Sequence, residues 1–212
     1  MKALVIGATG AVGQDLVRLL LSDDSFERVD IFVRREVSIP SAKLVSHVVD
    51  FDRPEPWAGQ LTGDVLFSCL GTTLKAAGSK DAQWKVDYTY QYLAAKAARE
   101  NGADTFVLVS SIGANPESGF FYTKMKGRLD EDVQRLCFPR LYILRPPSLV
   151  RKGTDRFGEK AGVAVLKALN AIGLFRSWKP MPTEDVAAAM VRLAKNGQEG
   201  TRIITSQDIL TA

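Results

Sequence analysis

With 212 residues, 46% of them hydrophobic and 25% charged, the chain has the balance of a soluble globular protein with a sizeable core, which excludes a disordered chain. Its net charge of +4 is too small to point to nucleic acid and mostly serves solubility and the attraction of anions. Cys69 and Cys137, the only cysteines, each lie in an apolar run, so two buried unpaired thiols and a cytoplasmic location are expected.

The opening MKALVIGATG is cut by Gly7 and Gly10, too early for a signal peptide, and no stretch reaches the ~18 apolar residues of a membrane span. From there strands and helices alternate. KALVIGA reads as a strand and AVGQDLVRLLLSDD as a helix with Val12, Leu16, Leu19 and Leu20 on one face. RVDIFVRR, KLVSHVVDF and DVLFSCLG read as the second, third and fourth strands, with His47 of the third in a structural role. The longest helical pattern is SKDAQWKVDYTYQYLAAKAARENG, with Ser79 as N-cap and Gly102 as the residue beyond its end. DTFVLVSS is the fifth strand, residues 119–136 a helix, and PRLYILRPP a sixth strand stopped by two prolines. TEDVAAAMVRLAKNG is a late helix capped by Thr183, and TRIITS a last short strand. The alternation predicts an α/β fold, a doubly wound, mostly parallel sheet of Rossmann type in one domain over residues 1–212. Residues 151–182 break the rhythm with seven basic residues against Asp155 and Glu159, and are expected to form a cap facing the substrate.

The first strand runs into Gly7-Ala8-Thr9-Gly10-Ala11-Val12-Gly13, where a helix opens. In such a loop the first glycine permits the turn, the second lets backbone approach a pyrophosphate, and the third lets helix and strand pack closely; the helix N-terminus offers N–H groups to the anion. The strand-to-helix context makes this a dinucleotide site. The second strand ends in Arg34-Arg35, with no acid at its tip, which predicts NADP(H) over NAD(H) because guanidinium groups suit a 2′-phosphate. Glu36, one residue on, could still reach a ribose. Asp50 and Phe51, closing the third strand, are expected to flank the adenine, and Cys69, Leu70, Gly71 and Thr72, closing the fourth, the rest of the cofactor. Arg156 is the first candidate within the basic segment for the cofactor phosphates.

Two Tyr-x-x-x-Lys pairs, Tyr92–Lys96 and Tyr122–Lys126, each place a phenol beside an ammonium on a helix face. Topology separates them. Tyr92 lies mid-helix and is expected to pack on the sheet, whereas Tyr122 follows the fifth strand, whose end delivers Ser110 and Ser111 to the crevice. Reduction of a carbonyl needs a proton for the developing alkoxide. A phenol with pKa about 10 is poorly suited to that near neutrality unless an ammonium favours its anion. Tyr122 would donate, Lys126 would tune it and hold the nicotinamide ribose, and Ser111, with Ser110 as alternate, would bond the carbonyl oxygen.

GATGAVG, SSIGA, YTKMK and LRPPSLV stand in the order seen in short-chain dehydrogenases/reductases, and the whole chain resembles the atypical NAD(P)-binding branch of that family. VRR, VVDF, SCLGTT, KVDYTY and FFYTKMKG together resemble its Tat-interacting oxidoreductase-like subgroup. The resemblance implies NADP(H) binding, a Ser–Tyr–Lys site at Ser111, Tyr122 and Lys126, and a nicotinamide side lined by Pro146, Pro147, Ser148 and Leu149. Many relatives read Arg-Pro-Gly where this chain has Arg145-Pro146-Pro147, which alters the loop. Two functions follow: a reductase of a small carbonyl substrate, or a cofactor-sensing regulator that engages a protein partner with little turnover. No nucleic acid or membrane partner is expected, and a homodimer is compatible with the family.

Overall fold

The computed structural model describes residues 1–150 and 180–211. Arg156 and all but the last three residues of the expected cap lie outside them. The strands are β1 (Lys2–Ile6), β2 (Arg28–Val33), β3 (Leu44–Val48), β4 (Val65–Ser68), β5 (Thr105–Val109), β6 (Arg140–Arg145), β7 (Leu149–Val150), β8 (Met181–Pro182) and β9 (Gly200–Thr205). Seven of them form one sheet in the order β3-β2-β1-β4-β5-β6-β9, and every neighbouring pair is parallel. The chain winds outward from β1 in one direction and from β4 in the other, so the sheet has its switch point between those strands, where open α/β sheets bind ligands. β7 and β8 form a separate parallel pair.

Alternation along the strands divides the core into two layers. Ala3, Val5, Val107 and Val109 face the helices α1 (Ala11–Ser22) and α7 (Thr183–Asn196), which contribute Leu16, Leu20, Val186 and Met190. Leu4, Ile6, Phe106 and Leu108 face the opposite way, toward α5 (Tyr90–Glu100) and α6 (Phe121–Gln134), which contribute Ala94, Ala98, Leu129 and Val133. Between β3 and α5 lie the short helices α2 (Glu55–Ala58), α3 (Leu74–Ala77) and α4 (Lys80–Trp84). The long helical pattern expected from Ser79 to Gly102 is interrupted by a π-turn at Lys85–Thr89 that links α4 to α5. Its ends are as expected: Ser79 Oγ accepts the Ala82 N–H, and Gly102 follows the end of α5 with a positive φ of 93°. Thr183 is not a cap. It is the first residue of α7, and its hydroxyl donates to Asp15 Oδ2 at 2.7 Å, tying α7 to α1.

β3 is an edge strand and is half exposed; Val48 faces solvent. What anchors it is charge. Asp30, on β2 and 1% exposed, receives Arg28 Nε at 2.6 Å and His47 Nε2 of β3 at 3.1 Å, with Lys2 Nζ of β1 at 3.4 Å. His47 also stacks on Phe32, the structural role expected of it. Burial opposes ionisation of Asp30, but the bonds from Arg28 and His47 and the charge of Lys2 outweigh it and hold the carboxyl below its ordinary value.

Asp30→Asn is therefore expected to cost about 2 kcal/mol at neutral pH, since it leaves one uncharged acceptor oxygen for donors from three strands. A lowered folded value means the contribution is full above the unfolded carboxyl's pKa of about 3.9 and fades as the pH falls through the lower folded one. Urea unfolding of both proteins from neutral pH down to about pH 2 should show the difference closing only in the acid range; equal stability at neutral pH would overturn this account.

Candidate functional site

The turn after β1 is built on backbone contact. Gly7 has φ +80°, and a Cβ there would collide with the backbone of Cys69 at the end of β4. A Cβ on Gly13 would collide with the Gly7 carbonyl. The Gly10 N–H bonds to that same carbonyl at 2.9 Å, and α1 begins at Ala11 with Gly10 as its N-cap. At Gly10 an added Cβ would meet only the Gly7 oxygen at 3.2 Å and the Cys69 oxygen at 3.5 Å, so its missing side chain is needed less by the fold than by whatever approaches from the cleft.

That cleft opens at the switch point and has a volume of about 600 Å³. Gly7, Thr9 and Gly10 form one wall, Gly71 and Thr72 the other, and Arg34 with Phe51 one end. Size, shape and the N–H groups at the start of α1 suit an extended dinucleotide diphosphate. Asp52, Lys85 and Tyr90 also line the cleft: Asp52 Oδ1 accepts Lys85 Nζ at 3.0 Å and the Tyr90 hydroxyl at 2.9 Å. Burial, with the bond to Asp52, pushes the Tyr90 phenol up to about 12, so Tyr90 is a neutral donor at physiological pH.

The loop after β5 is fastened to β6 by bonds from Ser110 N to Leu144 O and from Ile112 N to Pro146 O. Ser110 is buried, its Oγ directed toward the Asp130 carboxyl without a well-formed hydrogen bond. Ser111 is half-buried, and its hydroxyl donates to its neighbour's carbonyl at 3.3 Å. Tyr122, in the first turn of α6, is 40% exposed, while Lys126 one turn later is only 2% exposed. No hydrogen bond joins Ser111, Tyr122 and Lys126 among the described residues; Lys126 Nζ instead pairs with Asp87 Oδ1 at 3.0 Å.

Asp87 lies on the π-turn and is 1% exposed. Its second oxygen accepts the Thr72 N–H at 2.9 Å, Gln83 Nε2 donates to Thr72 O, and Gln91 Nε2 donates to Asp87 O. This buried polar frame was missed in the sequence, although a signal exists. Gln83, Asp87 and Gln91 recur every four residues on the face of a long helix that packs inward, where apolar residues would be routine.

The NAD(P)H-binding family matches residues 7–197. This chain belongs to it. Relatives include "Protein FMP52-1, mitochondrial" of Scheffersomyces stipitis, 39% identical over 94% of this chain and 90% of that protein. "Protein FMP52, mitochondrial" of Saccharomyces cerevisiae is 36% identical over 99% and 95%. Among solved structures, the oxidoreductase ylbE from Lactococcus lactis superposes with a TM-score of 0.70 at 20% identity, covering 100% of this chain and 96% of that one. Human epimerase family protein SDR39U1 with NADPH superposes with a TM-score of 0.66 at 15% identity, covering 97% and 74%. The chain is thus an NAD(P)-binding Rossmann-type domain whose structural neighbours are atypical short-chain dehydrogenases/reductases and epimerases. The relatives named mitochondrial overturn the expected cytoplasmic location. Unpaired cysteines report a reducing environment and not which compartment supplies it.

In this NAD(P)H-binding protein Cys69, Leu70, Gly71 and Thr72 line the cleft as expected, together with Gly7, Thr9, Gly10, Arg34 and Phe51. Ala11 is exposed at the start of α1, and Val12 and Gly13 are buried beneath the loop. Arg35 is exposed beyond the lining. Asp50 is placed elsewhere: its Oδ1 accepts the Asp52 N–H and its carbonyl accepts Trp57 Nε1, so it shapes a turn, and Asp52 is the acid in the cleft. Pro146, Ser148 and Leu149 do not line it either; Ser148 O accepts the Met181 N–H and Leu149 pairs with Met181. Tyr92 leans on the core and stacks on Tyr88, and Lys96 pairs with Glu100, so that pair lies apart from the cleft. Of the two cysteines expected to be buried, Cys137 is exposed. Cys69 contacts Met190 Sδ at 3.9 Å, and burial pushes its thiol well up, which favours an inert thiol over a redox role.

The different spacings at the glycines give a test. Gly10→Ala is expected to fold with a loss of about 1 kcal/mol or less while weakening NADPH binding at least ~10-fold, because only the ligand is displaced. Gly13→Ala should lose about 3 kcal/mol or more. Urea unfolding and NADPH fluorescence titration measure both; unchanged binding in Gly10→Ala would show that the ligand does not lie against the loop.

Proposed function

We propose that this NAD(P)H-binding chain is an NADP(H)-dependent oxidoreductase that reduces a small carbonyl. The observation that carries the reading is the buried ammonium of Lys126 one helical turn behind the exposed phenol of Tyr122, on a helix that starts beyond the carboxyl end of β5, the side of the sheet where the cleft opens. Gly7, Thr9 and Gly10 would hold the diphosphate, and Thr72 with Gly71 would lie along the nicotinamide half. Arg34 supports NADP(H) over NAD(H), since it lines the cleft at the end of β2 and a guanidinium suits a 2′-phosphate; Arg35 stands beside it on the surface.

The nicotinamide supplies the hydride when bound. The chain supplies orientation and the proton. Ser111 donates a hydrogen bond to the carbonyl oxygen and stabilises the charge that grows there. Ser110, buried against Asp130, is the poorer candidate. Tyr122 gives its phenolic proton to the developing alkoxide, and Lys126 steadies the phenolate that is left and holds the ribose hydroxyls. One observation favours the regulatory reading instead: Phe120, the N-cap of α6 two residues before Tyr122, is 80% exposed, an apolar side chain that a partner protein would cover.

Titration is expected to give NADPH an affinity at least ~10-fold above NADH, with the Arg34→Ala/Arg35→Ala variant removing most of the gap, as lost charge-assisted bonds to one phosphate should. Equal affinities in the native protein would end the NADP(H) preference.

NADPH oxidation against aldehydes, ketones and quinones should show a rate that Tyr122→Phe lowers by ~100-fold or more with cofactor affinity retained. If no compound gives a rate that depends on Tyr122, the cofactor-sensing regulator becomes the better reading.

A further inference from the structure

A buried ion pair is a costly device. Replacing such a pair by apolar side chains of similar volume is often neutral or stabilising, so Asp87–Lys126 does not explain itself as a source of stability. Nor does the local backbone. The π-turn at Lys85–Thr89 breaks an otherwise regular helix, and such turns are frequent at functional sites. Here the turn delivers Asp87 to the buried face, where both carboxylate oxygens are in use. One takes Lys126 Nζ of α6 at 3.0 Å, and the other takes the backbone N–H of Thr72 at 2.9 Å. Thr72 lies on the cleft wall, and its carbonyl is held from the other side by Gln83. The frame continues inward, since Gln91 holds the Asp87 carbonyl and accepts from Ser68 Oγ. Among the described residues Asp87 is the one carboxylate within ion-pair distance of Lys126; Asp130, one turn further along α6, is bonded to Arg145 at 2.9 Å.

We infer that Asp87 is a positioning residue for the nicotinamide half of the dinucleotide. It acts through Lys126 and through the strand end at Thr72. A lysine side chain has many rotamers of similar energy, and a fixed carboxylate selects one. Because one carboxylate holds both groups, the ammonium and the cleft wall are locked to each other, and the ligand meets them as a preassembled unit. The adenosine half, at the Arg34 end of the cleft, lies outside this frame. This inference rests on the NADP(H) reading above and adds a residue to it that touches neither substrate nor cofactor.

The test compares two probes, NADPH and adenosine 2′,5′-bisphosphate, which carries only the adenosine end. They are titrated against the native chain, Asp87→Asn, Lys126→Met and the double variant, with circular dichroism to verify folding. An amide oxygen can serve only one of the two donors and carries no charge. Asp87→Asn should therefore weaken NADPH roughly 10-fold and leave adenosine 2′,5′-bisphosphate within about 2-fold, and the double variant should be no weaker than Lys126→Met alone, as expected of groups that act as one unit. NADPH affinity unchanged in Asp87→Asn, losses that multiply in the double variant, or equal weakening of both probes would overturn the inference, the last because it marks a merely structural role. A native chain that binds neither probe would instead overturn the NADP(H) reading itself. Should Asp87→Asn not fold, Asp87→Leu/Lys126→Met removes both charges together, and the same selective loss of NADPH is required of it.

Discussion

The structure depends on one close approach of backbone to backbone. The end of β1 passes the end of β4 so tightly that Gly7 has no room for a side chain, and α1 closes over the same point so tightly that Gly13 has none either. Parallel strands flanked by helices leave a crevice wherever the winding reverses. Here the reversal lies between β1 and β4, so this close backbone contact forms the floor of the cleft. The N–H groups of the first turn of α1, which no preceding turn of helix can satisfy, open toward that cleft.

Around that floor the protein accepts polar groups in places where apolar ones would pack more cheaply. Asp30 is buried toward the amino end of the sheet and is satisfied by Lys2, Arg28 and the His47 ring from three strands, which is a structural solution to an edge strand. Asp87 is buried near the opposite, carboxyl end of β4 and is satisfied by an ammonium and a backbone N–H. The two aspartates are equally hidden but differ in what they hold. Asp30 fastens strands to each other, whereas Asp87 fastens a cleft wall to the helix that carries Tyr122. The same contrast separates Ser110 from Ser111: adjacent in sequence, they alternate in direction at a strand end, so one is buried against Asp130 and the other is left at the surface of the loop.

Much of the fold was legible because its signals are local. Alternating apolar runs and helical spacings located the elements, Ser79 and Gly102 ended a helical stretch as their backbone chemistry requires, and the three glycines marked the turn. Signals that depend on where the chain turns or on which group it meets after folding were misread. Thr183 looks like a cap, yet its hydroxyl has a better acceptor in Asp15 on α1. Asp50 looks like the acid at a strand end, but the chain turns there and brings Asp52 to the cleft. Cys137 lies in an apolar run and is nonetheless exposed, because the chain turns with φ 55° at that residue after α6.

The sequence by itself determined the class of fold and the glycine turn of the dinucleotide loop, because each follows from periodicity or from glycine sterics. Only the tertiary structure decided which polar residues share an environment. Lys126 and Asp87 are 39 positions apart, on different helices. Their pairing depends on a π-turn that shifts the helical register, and on a sheet that brings both helices to one side. Spacing along the chain carries information about one helix face at a time. The relation between two faces is settled by packing.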